Sequence, residues 1–234
     1  MRLVLFDIDG TLILSHGAGM RAFCRGLSQI FNVSLESRTI NPDGKTDPLI
    51  AKECLAHFSQ EQRWNDESRA GFYASYLACL EEEMEQARSN GAIRILPGVT
   101  ALLDQLASKT EFALGLVTGN IEGGARIKLA KAGLDRYFHF GGYGSDSEDR
   151  TALIRMAIER GKDWVVPAAV EETFVIGDTP LDVIHGRAAG ASVIAVASAN
   201  YTMMDLQACN PDLLVPDLTP LETILSFLHN HPVH

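Results

Sequence analysis

Four short apolar segments, each followed by a turn or a polar stretch, constrain the fold more than any other feature of this sequence. They comprise residues 3–6, 112–117, 173–176 and 192–196. Short, continuously apolar runs are typical of strands in a parallel sheet, because helices cover both faces of such a sheet. The sequence therefore predicts at least four buried parallel strands, and the first of them ends at Asp7.

Helical patterns separate these segments. The clearest follows Pro97-Gly98, and its apolar residues recur at i, i+3, i+4 and i+7: Val99, Leu102, Leu103 and Leu106. Further helices are predicted at about residues 121–131, 151–160, 181–189 and 221–228. Strands and helices thus alternate as in βαβ units, which predicts an α/β fold with a doubly wound parallel sheet. Ligands of such folds bind beyond the carboxyl ends of the strands.

The stretch from about residue 15 to residue 90 breaks this alternation, because it contains helical patterns only. One of them places four side chains on a single helix face: Tyr73, Leu77, Leu80 and Met84. Gly, Ser and Asn residues at 15–19 and 89–91 suit hinges. We therefore predict an α/β core of residues 1–14 and 92–234 with an inserted α-helical cap of residues 15–91.

Composition narrows the classes of function. The chain has 20 Lys and Arg against 30 Asp and Glu, and neither sign forms a long block, which argues against nucleic-acid or anionic-membrane partners. The 4 cysteines show no C-x-x-C spacing, so neither a zinc site nor a disulfide framework is expected. Neither a signal peptide nor a run of membrane-spanning length is recognisable, so we expect a cytoplasmic protein.

Two pairs of acidic residues follow predicted strands. Asp7 and Asp9 point the same way if the strand remains extended, and Asp178 and Asp182 have i, i+4 spacing at a helix start. A strand-end turn or a helix cap explains either pair alone, but two such pairs after buried strands favour a site. If the strands are neighbours, two carboxylates ~4 Å apart repel by ~4 kcal/mol at an effective dielectric near 20. A cation is then required, and oxygen ligands with room for water favour Mg²⁺.

The segments Phe6–Leu12 and Gly177–Asp182 resemble the first and fourth motifs of the haloacid dehalogenase superfamily. The resemblance extends over the whole chain, and the insert is similar to the helical cap of the phosphoglycolate phosphatase-like branch. It implies that Asp7 is the nucleophile and a metal ligand. It also implies that Asp9 gives the metal its backbone carbonyl and serves as acid and base. Asp178 would be the main later ligand, and Asp182 an indirect or water-mediated one.

The second motif of that family is a Ser or Thr at the end of the next strand, and Thr118 fits it. Its hydroxyl and the N–H groups of Gly119 and Asn120 are predicted to hold a phosphoryl oxygen at a helix N-terminus. A plain strand-to-helix cap is the alternative for this tripeptide.

The third motif is normally a Lys, and here the sequence departs from the family pattern. Arg150 is the only base at the head of the next helix, and Lys162 near the end of that helix is a less well placed rival. A guanidinium stays charged and binds phosphate through two donors, so we predict Arg150 as the phosphate ligand. The alternative is a solvated helix residue.

The implied activity is Mg²⁺-dependent hydrolysis of a small, phosphoglycolate-like phosphomonoester through an aspartyl-phosphate at Asp7. His16 and Lys45 are candidates for contact with the leaving group. A sugar-phosphate mutase of the same fold would keep every core residue named above, so it remains an alternative. The resemblance implies that a haloacid dehalogenase, which attacks carbon, lacks the second acidic residue, so Asp9 argues for phosphorus chemistry. A receiver-like, non-enzymatic phospho-acceptor is the alternative from another class.

Overall fold

A computed structural model of the chain describes residues 1–37 and 40–230. Its strands are β1 Arg2–Phe6, β2 Ile13–Leu14, β3 Arg94–Ile95, β4 Phe112–Thr118, β5 Phe140–Tyr143, β6 Glu172–Gly177, β7 Ser192–Val196 and β8 Leu213–Val215. Its helices are α1 Ala18–Phe31, α2 Asp47–His57, α3 Asp66–Ser89, α4 Val99–Ala107, α5 Glu122–Ala132, α6 Arg150–Val165, α7 Pro180–Ala188, α8 Met203–Gln207 and α9 Leu221–Asn230. All of the predicted strands and helices of the core are therefore present.

Six strands form one sheet in the order β5-β4-β1-β6-β7-β8, and every pair is parallel. The first strand lies at the centre, where Phe6 is opposite both Leu116 and Ile176. The two strands that precede the acidic pairs are thus neighbours. Because the carboxyl ends of parallel strands meet at one edge, both pairs reach the same edge of the sheet.

Helices cover both faces of this sheet, and alternate residues of β1 point to opposite sides. Val4 and Phe6 pack in the cluster that contains α4, α5 and α9, whereas Leu3 and Leu5 pack in the cluster that contains α6, α7 and α8. Burial on both faces is why β1 is apolar at every position from Leu3 to Phe6. The prediction of a doubly wound α/β fold is confirmed.

The strands β5 and β8 and the helix α8 were not predicted. Glycine disfavours strands, and β5 contains Gly141 and Gly142. In the fold these glycines have a packing role, because a Cβ atom on Gly142 would lie 2.2 Å from the carbonyl oxygen of Leu153. The absence of a side chain therefore lets α6 approach the edge strand closely.

The inserted helices α1, α2 and α3 pack around a separate apolar cluster, to which the core contributes Ile121. At its centre the ring of Phe23 lies 5.1 Å from that of Phe72 and 5.6 Å from that of Tyr76. The two chain crossings between insert and core pair as β2 and β3, with Ile13 opposite Ile95, which the sequence did not predict. The boundaries of the predicted cap remain an interpretation of the sequence, and residues 38, 39 and 231–234 lie outside the described residues.

The four cysteines are free thiols in the fold, and three of them are buried in the inserted helices. Across residues 1–37 and 40–230, none of the helices is both long enough and apolar enough to cross a membrane.

Candidate active site

A cavity of about 280 Å³ separates the carboxyl edge of the sheet from the inserted helices. Both parts of the chain line it, including every predicted site residue except Asp182: Asp7, Asp9, His16, Lys45, Thr118, Gly119, Asn120, Arg150 and Asp178. Asp182 is fully buried and contacts Arg150 from outside the cavity lining. The tertiary fold thus brings the predicted residues to one place from segments that are far apart in the sequence.

Three buried carboxylates form a cluster, of which two line the cavity and the third, Asp182, lies behind the lining. Asp7, Asp178 and Asp182 each offer an oxygen, and these oxygens lie within 4.8 Å of one another. Burial, opposed by Arg150 and reinforced by Asp182 and Asp9, raises the pKa of Asp7 from 3.8 to about 7. Burial and the neighbouring Asp7 and Asp182 likewise raise the pKa of Asp178 well above its usual value. This excess of negative charge and its oxygen-only donors fit a small divalent cation such as Mg²⁺.

Gly10 allows the two acidic loops to meet. Its φ of +85° lies in the left-handed region, and a Cβ atom there would lie 2.3 Å from Oδ2 of Asp178. The next residue, Thr11, donates a hydrogen bond of 3.0 Å from its hydroxyl to Oδ1 of Asp178. Sequence reasoning assigned no role to Thr11, which orients the predicted metal ligand.

The carboxylate of Asp182 contacts two residues, Thr179 and Arg150. Its Oδ2 accepts hydrogen bonds from the N–H and hydroxyl of Thr179 at 3.0 and 2.7 Å, which forms a capping box at the start of α7. Its Oδ1 accepts a hydrogen bond from Nη2 of Arg150. Its indirect role in metal binding stays a prediction, and its ion pair with Arg150 holds that guanidinium in place.

Arg150 is the first residue of α6 and is only 4% exposed. Its Nη2 lies 3.5 Å from Oδ1 of Asp7. Burial lowers the pKa of this guanidinium, but Asp182 and Asp7 outweigh that effect and raise it above its usual value. Arg150 is thus a fixed cation beside the predicted nucleophile. Its rival, Lys162, pairs with Glu159 on the exposed side of the same helix.

The end of β4 contributes polar groups to the opposite wall of the cavity. Oγ1 of Thr118 accepts hydrogen bonds from the N–H and the side-chain amide of Asn120 at 3.3 and 2.8 Å. Gly119 faces the inserted segment, since a Cβ atom there would lie 1.9 Å from the carbonyl oxygen of Lys45. Gly119 therefore allows the insert to approach the core, in addition to its predicted role in phosphate binding.

Asp9 projects further into the cavity than the three clustered carboxylates, and its side chain is 45% exposed. Its Oδ2 accepts a hydrogen bond of 2.8 Å from Nδ2 of Asn120 and one of 2.6 Å from Nζ of Lys128. Lys128 belongs to α5 and was missed by sequence reasoning. The available signal was its position in the predicted helix, three residues after Ala125 and seven after Ile121, on the same apolar face.

Asp47 is a second residue that sequence reasoning missed. It begins α2, and its Oδ2 accepts a hydrogen bond of 2.9 Å from the N–H of Ile121, while its own N–H donates to the carbonyl oxygen of Gly119 at 2.8 Å. Burial, opposed by Lys128 and the Ile121 N–H, raises the pKa of Asp47 from 3.8 to about 6. The contacts join the inserted helices to the core at the edge of the cavity.

The two candidate substrate contacts of the insert lie at the rim. Lys45 donates a hydrogen bond of 2.7 Å to Glu53, and His16 has a φ of +46° at an exposed position. Both line the cavity, but neither makes a described contact with Asp7 or Asp9. Their assignment to the leaving group stays a prediction.

The family model described as haloacid dehalogenase-like hydrolase matches residues 4–196. The pyrophosphatase PpaX of Bacillus mycoides is 23% identical over 95% of this chain and 96% of its own length.

Two solved structures share the fold. A β-phosphoglucomutase from Clostridium difficile has a TM-score of 0.73 and 16% identity, with 100% of this chain and 99% of that one covered. A protein described as a predicted phosphoglycolate phosphatase from Haemophilus somnus has a TM-score of 0.67 and 18% identity, with 95% and 97% covered.

Proposed function

Because this chain belongs to the haloacid dehalogenase-like hydrolase family, we propose that it is a Mg²⁺-dependent phosphomonoester hydrolase that uses Asp7 as its nucleophile. The family assignment confirms the resemblance predicted from the motif residues. The observation that carries the proposal is the arrangement of four carboxylates in two environments. Asp7 lies in the buried cluster with Asp178 and Asp182, whereas Asp9 is held separately in the cavity.

The nucleophile is prepared by its neighbours. Asp7 emerges from β1 with its N–H bonded to the carbonyl oxygen of Ile176 at 3.0 Å, which fixes the backbone at the edge of the sheet. Arg150 lies beside its carboxylate and is available to a phosphoryl oxygen. The carboxylate oxygen attacks phosphorus, and the bond from phosphorus to the leaving oxygen breaks in line.

Asp7 and Asp9 both line the cavity, but Asp7 is buried whereas the side chain of Asp9 is 45% exposed, which supports proton transfer as the role of Asp9. In the proposed first step Asp9 protonates the leaving oxygen, and in the second it takes a proton from the water that attacks the aspartyl-phosphate. The hydroxyl of Thr118 and the N–H groups of Gly119 and Asn120 would hold the oxygens of the phosphoryl group. We propose that the inserted helices act as a cap that excludes bulk water during the first step.

The residues that would hold Mg²⁺ are Asp7, Asp178 and the backbone carbonyl of Asp9, with Asp182 acting through Arg150 or water. Bound Mg²⁺ would offset the negative charge that gathers as the carboxylate and the phosphoryl group approach.

The substrate class follows from the site and from the relatives. The cavity suits a small phosphorylated metabolite. One curated relative is named a pyrophosphatase, and one structural neighbour a phosphoglycolate phosphatase, so we propose a small phosphomonoester of the phosphoglycolate type and include pyrophosphate as a competitor.

The test is phosphate release from a panel of small phosphoesters and pyrophosphate, measured with Mg²⁺ for the wild type and for Asp7→Asn. The amide is a poor nucleophile, so we expect kcat to fall on the order of a thousandfold or more. Asp43→Asn is the matched control, because Asp43 lines the same cavity but contacts Asn200. Wild-type turnover by Asp7→Asn would refute the mechanism. Transfer of the phosphoryl group to a sugar hydroxyl instead of water would identify a mutase, and self-labelling without turnover a phospho-acceptor.

A further inference from the structure

Lys128 is a buried cation whose function the proposed mechanism does not explain. Its side chain is only 6% exposed, and its ammonium group lies 2.6 Å from Oδ2 of Asp9. A lysine is costly to bury, and a hydrophobic residue at this helix position would avoid that cost. The position therefore calls for an explanation in terms of Asp9.

The surrounding backbone leaves a defined space for this side chain. A Cβ atom on Gly19 would lie 3.1 Å from Nζ of Lys128 and 3.2 Å from its Cε. The glycine in the first turn of α1 thus provides room for the lysine to extend to Asp9. A side chain at position 19 would occupy space that the ammonium group of Lys128 needs in order to reach the carboxylate of Asp9.

The contact is made entirely by the core. Lys128 lies on α5 and Asn120 on the loop before it, and both donate to the same oxygen, Oδ2 of Asp9. With Oδ2 held by two donors, Oδ1 is the oxygen that neither of them occupies. The carboxylate of Asp9 is therefore fixed in rotation while part of it still faces the cavity.

We infer that Lys128 is a positioning residue that holds Asp9 in the orientation needed for proton transfer to and from the reacting oxygen. The inference rests on the proposed function and specifies how its acid and base is oriented. It assigns the orientation to a helix of the core, so that Asp9 is already oriented before the inserted helices make any contact with substrate.

Two other roles for Lys128 predict different behaviour. If its ammonium group bound the phosphoryl group directly, its removal would slow every substrate alike, whether or not Asp9 were present. If it were only a structural ion pair, its removal would lower stability with no dependence on the leaving group. The positioning role predicts a fall in kcat that is large only when the leaving group needs a proton. This fall should vanish when Asp9 has already been replaced by Asn.

The experiment is a double-mutant cycle of Lys128→Met and Asp9→Asn, with an alkyl phosphate and an activated aryl phosphate as substrates. On the alkyl phosphate we expect Lys128→Met to lower kcat by roughly 10- to 100-fold with little change in KM, as for other small misplacements of catalytic groups. In the rapid-quench burst of the aryl phosphate the loss should be less than about threefold, because that leaving group needs no proton. Added to Asp9→Asn, the lysine change should have less than about a twofold further effect.

Lys131→Met is the matched control. Lys131 lies one turn later on α5 and is also an ion-paired lysine, but its partners are Glu81 and Glu85 of α3 in the insert, and it does not line the cavity. In the Lys131→Met variant, the ratio of the rate on the alkyl phosphate to the burst rate on the aryl phosphate should stay at its wild-type value. Lys128→Gln, which keeps a hydrogen-bond donor and shortens the side chain, replaces Lys128→Met in the cycle if the latter does not fold by circular dichroism.

Additive effects of the lysine and aspartate changes, or equal slowing of both substrates, would overturn the inference while leaving the hydrolase intact. An inactive wild type would instead overturn the proposed function, and the inference about Lys128 with it.

Discussion

The carboxylate of Asp47 makes the stability of this protein depend on pH in a predictable direction. Its pKa is raised from 3.8 to about 6, mainly by burial. In the folded protein its Oδ2 accepts a hydrogen bond from the N–H of Ile121. Between these two values the folded protein binds a proton that the unfolded chain has released. The free energy of unfolding therefore falls as the pH rises through this window, and the contribution of Asp47 is fully present only below the lower value.

The magnitude follows from the two pKa values. A change from 3.8 to about 6 corresponds to about 3 kcal/mol, and most of it should be lost between pH 4 and pH 7. Asp47→Asn removes this titration, yet its amide oxygen can still accept the hydrogen bond from Ile121. We therefore expect the variant to gain about 2 to 3 kcal/mol relative to the wild type when the pH is raised from 4 to 7.5.

The assay is urea unfolding of both proteins, followed by far-UV circular dichroism at pH 4 and pH 7.5. EDTA is present throughout, so that metal binding at the carboxylate cluster does not contribute. The titratable groups that both proteins share contribute equally to both free energies of unfolding. Their contributions therefore cancel in the difference between variant and wild type. A difference that is the same at both pH values would refute the assignment of this pH dependence to Asp47.

Two further predictions concern the chemistry. Asp9→Asn should lose proton transfer, worth roughly 10²- to 10⁴-fold in kcat on an alkyl phosphate. An activated aryl phosphate should instead give a burst of phenol in rapid-quench experiments and then slow turnover, and equal slowing of both substrates without a burst would mean that Asp9 mainly organises the metal. EDTA should abolish phosphate release and Mg²⁺ should restore it, because three carboxylates lie within 4.8 Å of one another. Full activity in metal-free buffer would contradict this assignment of the cluster.

Local sequence patterns were sufficient to predict those strands and helices in which buried positions recur at a regular spacing. The alternation of apolar runs and helical patterns predicted the doubly wound sheet, because burial on both faces makes residues 3–6 of β1 and 112–117 of β4 continuously apolar. Where the chain departs from such patterns, prediction failed. The glycines of β5 do not favour a strand by themselves and are explained only by the approach of α6.

The predicted site was only partly a matter of local pattern. The positions of Asp7 and Asp178 follow from the ends of two strands, and Arg150 from the start of a helix. That these residues meet depends on β1 and β6 being neighbours, which the sequence left as a condition and the fold supplies. Asp182 was predicted near the metal, but its contacts with Thr179 and Arg150 were not.

The sequence by itself determined four of the six strands of the parallel sheet, the helices between and after them, and the identity of the acidic loops. The tertiary structure alone decided the partners of the buried charges. Lys128 meets Asp9 across 119 positions and Asp47 meets the N–H of Ile121 across 74. Periodicity shows which face of a helix is buried, but not which group lies opposite. The role of a lysine or aspartate on such a face therefore becomes known only when the distant segment that packs against it is known.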